Sequence, residues 1–364
     1  MVLGEIVDFL ENMAPPSLQE SYDNSGLIVG NREWEIRAAL IALDCTPSIV
    51  EEAQAKGCNL IIAHHPIVFS GLKKLNGKNY IERAVMAAIK NDIAIYAIHT
   101  NLDNVHTGVN AKMAARLGLI NTHILQPKKG LLQKLVVFVP TSHVEVVLQS
   151  MFNAGAGHIG NYSECHFGLE GTGTFKAGDN TNPYVGEKGK RHAEREQRLE
   201  CVVPNWLSKK VIQAMKAVHP YEEVAYDLYP LENEHPQVGA GMVGELESEM
   251  EVRDFLQLLK EKFNAKGIRY TEPHKATIKR VALCGGSGSF LLNNAIAAKA
   301  DIFITADYKY HQFFDADGQI IIADIGHYES EQFTMELISD WLAKKFATFA
   351  THLTDLDTNP IRYL

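Results

Sequence analysis

The stretch LIIAHHPIVF, residues 60–69, ends an apolar run in two adjacent imidazoles, His64 and His65, directly before Pro66. Successive side chains on a strand point to opposite faces, so paired histidines do not suit the interior of a buried sheet. Proline stops regular strand geometry. At a strand end, neighbours that point apart can each meet a different ion. Three further clusters have the same character: HTNLD with His99 and Asp103, DYKYH with Asp307 and His311, and GHYESE with His327 and Glu331. His327 and Glu331 stand four apart at the start of an expected helix, so both side chains lie on one face. Imidazoles and carboxylates without a thiolate suit zinc first, with iron, manganese, cobalt and nickel open. The inventory is enough for two divalent cations sharing a carboxylate. Such pairs, with ions about 3.5–4 Å apart, form hydrolytic centres. His106, His123, His143, His192, His235, His274 and His352 fall outside the clusters and read as surface or packing residues.

Converging ligands need elements that bring distant segments together. Apolar strands are expected at 38–43, 59–63 and 93–98, alternating with helices at 3–13, 47–56, 79–90 and 108–117. Pro47 takes an early helical position. The last third repeats this order. A helix at 251–263 precedes strands at 280–286, 301–305 and 319–327, with helices at 289–299 and 329–346. KGCNLIIAHHPIVF has the shape of AKADIFITADYKYHQF, and IAIYAIHTNLD that of QIIIADIGHYESE. The pattern implies an α/β fold of two related α/β/α halves, each with a mostly parallel sheet. Ligands in such sheets sit beyond the carboxyl ends of strands, where all four clusters fall.

The middle differs. KLVVFVP, a helix at 143–153, a Gly-rich stretch, QRLECVVP, a helix at 208–218 and AYDLYPL fit an α+β module. The expected domains are 1–127 and 232–364, the two halves of a metal-binding domain, with a module at 128–231 inserted between them. QPKKG and LENEHPQ have the polar character of junctions.

Composition narrows the classes. The chain has 364 residues, 46% hydrophobic and 22% charged, which is enough for a sizeable core and argues against disorder. A net charge of −9 argues against a general nucleic-acid surface. Five scattered cysteines form no CxxC pair and read as free thiols of a cytoplasmic protein. The acidic, amphipathic N-terminal segment is unlike a signal peptide, and no apolar run approaches the ~18 residues of a membrane span.

Taken together, ESYDNSGLIVG, IIAHHP, HTNLD, and DIGHYESE resemble the GTP cyclohydrolase type 2 homologues, or NGG-one-interacting-factor-three-like proteins, over essentially the whole chain. The resemblance implies a dinuclear site with His65 and Asp103 on one ion, His64 and His327 on the other, and Glu331 bridging. His99, Asp307 and His311 would lie nearby, His99 and His311 as proton-transfer groups. The central segment resembles the ferredoxin-like insert of longer bacterial members, similar to copper-tolerance and PII signalling folds. A ring-shaped hexamer with inward-facing sites is also implied.

These features point to a metal-dependent hydrolase, GTP cyclohydrolase-like or a phosphoesterase acting on a nucleotide-like anion. The alternative is a metal-binding or regulatory ring protein without turnover. CGGSGS (284–289) lacks the GK[ST] of a P-loop; it would offer N–H groups to a phosphate or make a tight turn. TNPYVGEKGKRHAERE (181–196), with several cations, would touch an anionic ligand or form a solvated loop, and HPYEE (219–223) would make a turn before the module's last strand or a ligand contact. YDNSGL (22–27) would close over the metal site or pack as a turn.

Overall fold

Short apolar runs become the inner strands of two sheets, and a computed structural model describes them within residues 1–364. The strands, in chain order, are β1 Gly26–Val29, β2 Ala38–Ala42, β3 Leu60–Ala63, β4 Ala94–Ala97, β5 Ile120–Lys128, β6 Leu132–Pro140, β7 Phe167–Lys176, β8 Arg191–Pro204, β9 Tyr226–Leu231, β10 His235–Glu251, β11 Arg269–Tyr270, β12 Thr277–Ser287, β13 Ile302–Ala306, β14 Ile321–Asp324 and β15 Ala350–Leu353. The chain divides into two units, Met1–Pro127 with Gln237–Leu364, and Lys128–Pro236.

In the first unit, one sheet has the order β1-β4-β3-β2-β15 and the other β11-β14-β13-β12-β10-β5. The inner trios correspond: β2, β3 and β4 are parallel, as are β12, β13 and β14, with β1 and β11 antiparallel on the outer side of β4 and β14. The sheets are therefore mixed. Nor does each stay within one half of the chain. β15, from the C-terminal part, runs parallel to β2, while β5, from the N-terminal part, lies beside β10. Sequence periodicity finds strands but carries no information on which edge a terminal strand joins.

Helices cover both faces because the central strands are apolar throughout. AALIA, LIIA and AIYA are buried at every position. Leu40, Ile61 and Ile95 pack with the helices Pro47–Ala55 and Tyr80–Lys90. In the second sheet, Ile302 and Ile304 join Phe255 and Leu259 of the helix Val252–Lys262. Phe303, pointing the other way, joins Leu291, Leu292 and Ala295. Full burial of one such side chain contributes about 1.5–3 kcal/mol. Thr46 caps the helix that Pro47 opens, its Oγ1 accepting from the Ile49 N–H at 3.4 Å.

Two expected elements are shorter. The last inner strand ends at Asp324, before Gly326 at φ +95°, where a Cβ would stand 2.2 Å from Glu329 Oε2. The helix expected over 329–346 is two helices, His327–Glu331 and Thr334–Lys345.

The second unit runs β6, helix Val144–Asn153, β7, β8, helix Ser208–Val218, β9. Its sheet, β7-β8-β6-β9, is antiparallel throughout. Leu135, Val137, Val139, Leu199, Cys201 and Val203 face the two helices and make this unit's core.

Candidate metal centre

The cluster lies beyond the carboxyl ends of the inner strands of both sheets. His64 and His65 follow β3, and His99 follows β4 at the start of the helix Thr100–Asp103. Asp307 follows β13, and His327 and Glu331 occupy the helix after β14. His327 Nε2 stands 3.0 Å from Glu331 Oε2, which the i, i+4 spacing makes possible.

Glu331 Oε2 is the shared point. It lies 3.0 Å from His65 Nε2 and 3.9 Å from His64 Nε2. His64 Nε2 is 3.6 Å from Asp103 Oδ1, and His65 Nε2 is 3.4 Å from His327 Nε2. The side chains thus group as His64–Asp103–Glu331 and His65–His327–Glu331, with His64 and His65 also grouped with His99. This differs from the expected pairing of His65 with Asp103 and of His64 with His327. The cause lies in what holds each ring. His64 Nδ1 donates to the Ile98 carbonyl at 2.8 Å, which turns it toward the end of β4 and hence toward Asp103. His65 Nδ1 donates to Asp44 Oδ1 at 2.8 Å, beyond β2 on the other side. His327 Nδ1 donates to Asp307 Oδ2 at 2.7 Å. All three rings therefore present Nε2 inward with Nδ1 committed to an oxygen, the arrangement that fixes metal-binding histidines.

His99 stands against the same group, its ring centroid 5.3 Å from those of His64 and His65. Its Nδ1 donates to Asp23 Oδ1 at 2.8 Å, and Asp23 Oδ2 also accepts from the Thr100 N–H at 3.0 Å. YDNSGL is therefore a turn whose acid reaches the cluster through His99. His311 is not brought in. A 3-10 helix, Tyr310–Ala316, follows the left-handed Asp307 (φ +58°) and leaves His311 exposed, beside Phe314.

The glycines of CGGSGS have a different use from cradling phosphate. The N–H groups of Gly285, Gly286 and Gly288 donate to Asn110 Oδ1, Ser330 Oγ and Thr305 Oγ1, so all three are committed. Gly286 has φ +61°, and a Cβ there would sit 2.4 Å from Glu331 Oε1. The irregularity between Leu283 and Ser287 in the β12–β13 register thus makes room for the shared carboxylate.

Burial and charge are uneven. His64 is fully buried and Glu331 nearly so, whereas the His327 side chain is 36% exposed, which gives the cluster one closed and one open side. Burial lowers His64 to about 3, so it is a neutral imidazole at neutral pH. Burial also works against a charge on His65, but Asp44 and Glu331 outweigh it and raise that ring to about 9. The Glu331 charge, with Asp307, raises His327 to about 11. Burial, and then the neighbouring Glu331, push the Asp103 carboxyl well above the usual range. The charges on His65 and His327 act against that rise without cancelling it, and Asp103 Oδ1 and His64 Nε2 are both buried without a hydrogen-bond partner. Two such atoms facing one space have the chemistry to take up a cation, as oxygen and neutral imidazole donors do.

Sequence reasoning missed Asp44 and reached Asp23 only as part of YDNSGL, without giving it a role. The signal for Asp44 was available, since IALDC puts a carboxylate at the end of an apolar strand, as IIAHH does with imidazoles.

The fold and site define a mixed α/β protein whose histidines and carboxylates converge at the strand ends of two matched sheets. The chain belongs to the Duf34/NIF3 (NGG1p interacting factor 3) family, whose model matches residues 1–360. A relative named GTP cyclohydrolase 1 type 2 homolog, from Bacillus subtilis (strain 168), is 38% identical over 366 residues, covering 99% of this chain and 98% of the relative. One of the same name from Halalkalibacterium halodurans is 41% identical over 325 residues, 88% of this chain and 87% of the relative. The crystal structure of a Bacillus cereus protein related to NIF3 matches with TM-score 0.87 at 38% identity, covering 100% of this chain and 99% of that one. No helix is long and apolar enough to cross a membrane.

Proposed function

We propose that the cluster holds two divalent cations, zinc first among the candidates, and that the protein is a metal-dependent hydrolase of a small, anionic, nucleotide-like substrate. His64 and Asp103 would hold one ion, His65 and His327 the other, and Glu331 both. The observation that carries this reading is the buried, unpartnered pair His64 Nε2 and Asp103 Oδ1, beside a carboxylate that three imidazoles approach. When bound, the cations supply Lewis acidity and positive charge for attack by water on carbon or phosphorus. The chain's residues do the rest. Asp44, the Ile98 carbonyl and Asp307 hold the rings in orientation, and the packing around His64 excludes water from one side. Substrate would enter from the more exposed His327 side. His99, anchored through Nδ1 by Asp23, has Nε2 left to take or return a proton.

The relatives' name supports GTP as the first substrate to test, with C8 of its imidazole ring as the site of hydrolysis. The order βαββαβ with its β7-β8-β6-β9 sheet supports a ferredoxin-like reading of the insert. The family resemblance supports a ring-shaped hexamer. The five free cysteines are in keeping with a reducing, cytoplasmic setting.

The test is elemental analysis of the reconstituted protein together with product assays on GTP and a panel of phosphoesters. About two ions per chain are expected, with at least one lost in Glu331→Ala and product formed only by the metal-loaded parent. Fewer than about half an ion per chain would reject the site. Full metal loading without any metal-dependent product would favour the second reading, a metal-binding or regulatory protein without turnover.

A further inference from the structure

In the second unit, a cavity of about 430 Å³ lies on the sheet face opposite the two helices. Along β8, Leu199, Cys201 and Val203 point to the helices, so Glu194, Glu196, Arg198 and Glu200 point to the other face. The acids there are not equivalent. Glu200 is paired with Lys134 at 2.8 Å and Arg198 at 2.9 Å, and Glu194 with His192 at 2.9 Å. Glu196 is the most buried of the three, at 9% exposed, and its partner is a neutral hydroxyl, Tyr221 Oη at 2.8 Å. Lys176 also lines the cavity but makes no ion pair with Glu196.

The space around Glu196 is built. A Cβ on Gly173 would stand 2.0 Å from Glu196 Oε2, so only glycine lets the carboxylate lie across β7. Aromatic rings wall the cavity. Tyr221 lies 6.0 Å from Phe175 and 6.3 Å from Tyr184, centroid to centroid, and Phe138 completes the lining. A carboxylate withdrawn from water without a counter-charge is costly, and ring faces carry negative potential. Both features favour positive charge. The volume falls in the ~300–1,000 Å³ range of organic ligands and is far too large for a bare metal ion.

We propose that this cavity binds an organic cation, an ammonium compound with an apolar body, whose charged head meets Glu196 within the rings of Phe138, Phe175, Tyr184 and Tyr221. The site belongs to the second unit alone and stands or falls independently of the metal centre.

Choline and its neutral isostere 3,3-dimethylbutan-1-ol are the probes, titrated against the full-length protein by saturation-transfer NMR. Choline is expected to bind saturably and at least ~10-fold more tightly than the alcohol, as cation–π and carboxylate contacts predict. Glu196→Gln, whose amide oxygen still accepts from Tyr221, should remove that preference, while Glu194→Gln should keep it. Tyr184→Ala, at an exposed position, should weaken choline alone without disturbing the fold. Equal binding of the two probes, no saturable choline binding, or an undiminished preference in Glu196→Gln would each overturn the proposal.

Discussion

An imidazole offers two nitrogens, and what one holds decides where the other points. His64, His65 and His327 each commit Nδ1 to an oxygen and present Nε2 to the same small volume. Removing such an anchor frees the ring without removing the donor. Asp44→Asn should therefore lower metal affinity by roughly 10–100-fold while leaving the fold intact, as read by chelator competition and circular dichroism; unchanged affinity would show that Asp44 does not orient His65. The residue types of the cluster were legible in the sequence because each follows an apolar strand. The grouping of His64 with Asp103 and His65 with His327 was not. It depends on hydrogen bonds to Ile98 and Asp44, which lie 34 and 21 residues away along the chain. His311 shows the opposite failure. Its position after an apolar run looked equivalent, but the 3-10 turn that follows Asp307 carries it to the surface.

Strands must be clamped in register for their ends to converge. Asp301 does this for β13. Its Oδ2 accepts from the N–H groups of Lys279 and Arg280 on β12, at 2.6 and 2.7 Å, and its Oδ1 pairs with Lys275. Burial alone would raise this carboxyl, but the bonds from Lys275, Arg280 and Lys279 hold it below its ordinary value. A depressed carboxyl stabilises the fold above its unfolded value, near ~4, and loses that contribution as pH falls through the lower folded value. Asp301→Asn should thus cost about 1–3 kcal/mol at neutral pH, with the gap from the parent narrowing below pH ~4. Urea unfolding across pH measures this, and a gap independent of pH would exclude the charge as its source. The inner strands and most helices were legible as apolar runs and helical spacing. The purpose of Gly285 and Gly286 was not, because a sequence shows small residues without showing that Glu331 fills the space they leave.

At the scale of the molecule, the second unit enters after β5 and leaves before β10, and these strands are neighbours in one sheet. At Gly239 the strands approach so closely that a Cβ would stand 2.1 Å from the Gln126 carbonyl oxygen. Chain ends that lie side by side tolerate excision. Replacing residues 129–236 by a short glycine linker should leave a cooperatively folding protein that keeps the parent's metal content, by calorimetry and elemental analysis. Loss of cooperative melting would show that the first unit depends on the second. The related halves were visible in the sequence as repeated strand–ligand segments. Their exchange of β5 and β15 was not, since pairing across such separations leaves no periodic trace. That exchange also sets a timetable for synthesis. While the ribosome is still making the second half, His64, His65 and Asp103 already exist, but Glu331 and the edge strand Ala350–Leu353 do not. A nascent chain has half a chelator and an open sheet edge. On the proposed reading, metal capture would therefore belong to the last moments of translation or to the released protein.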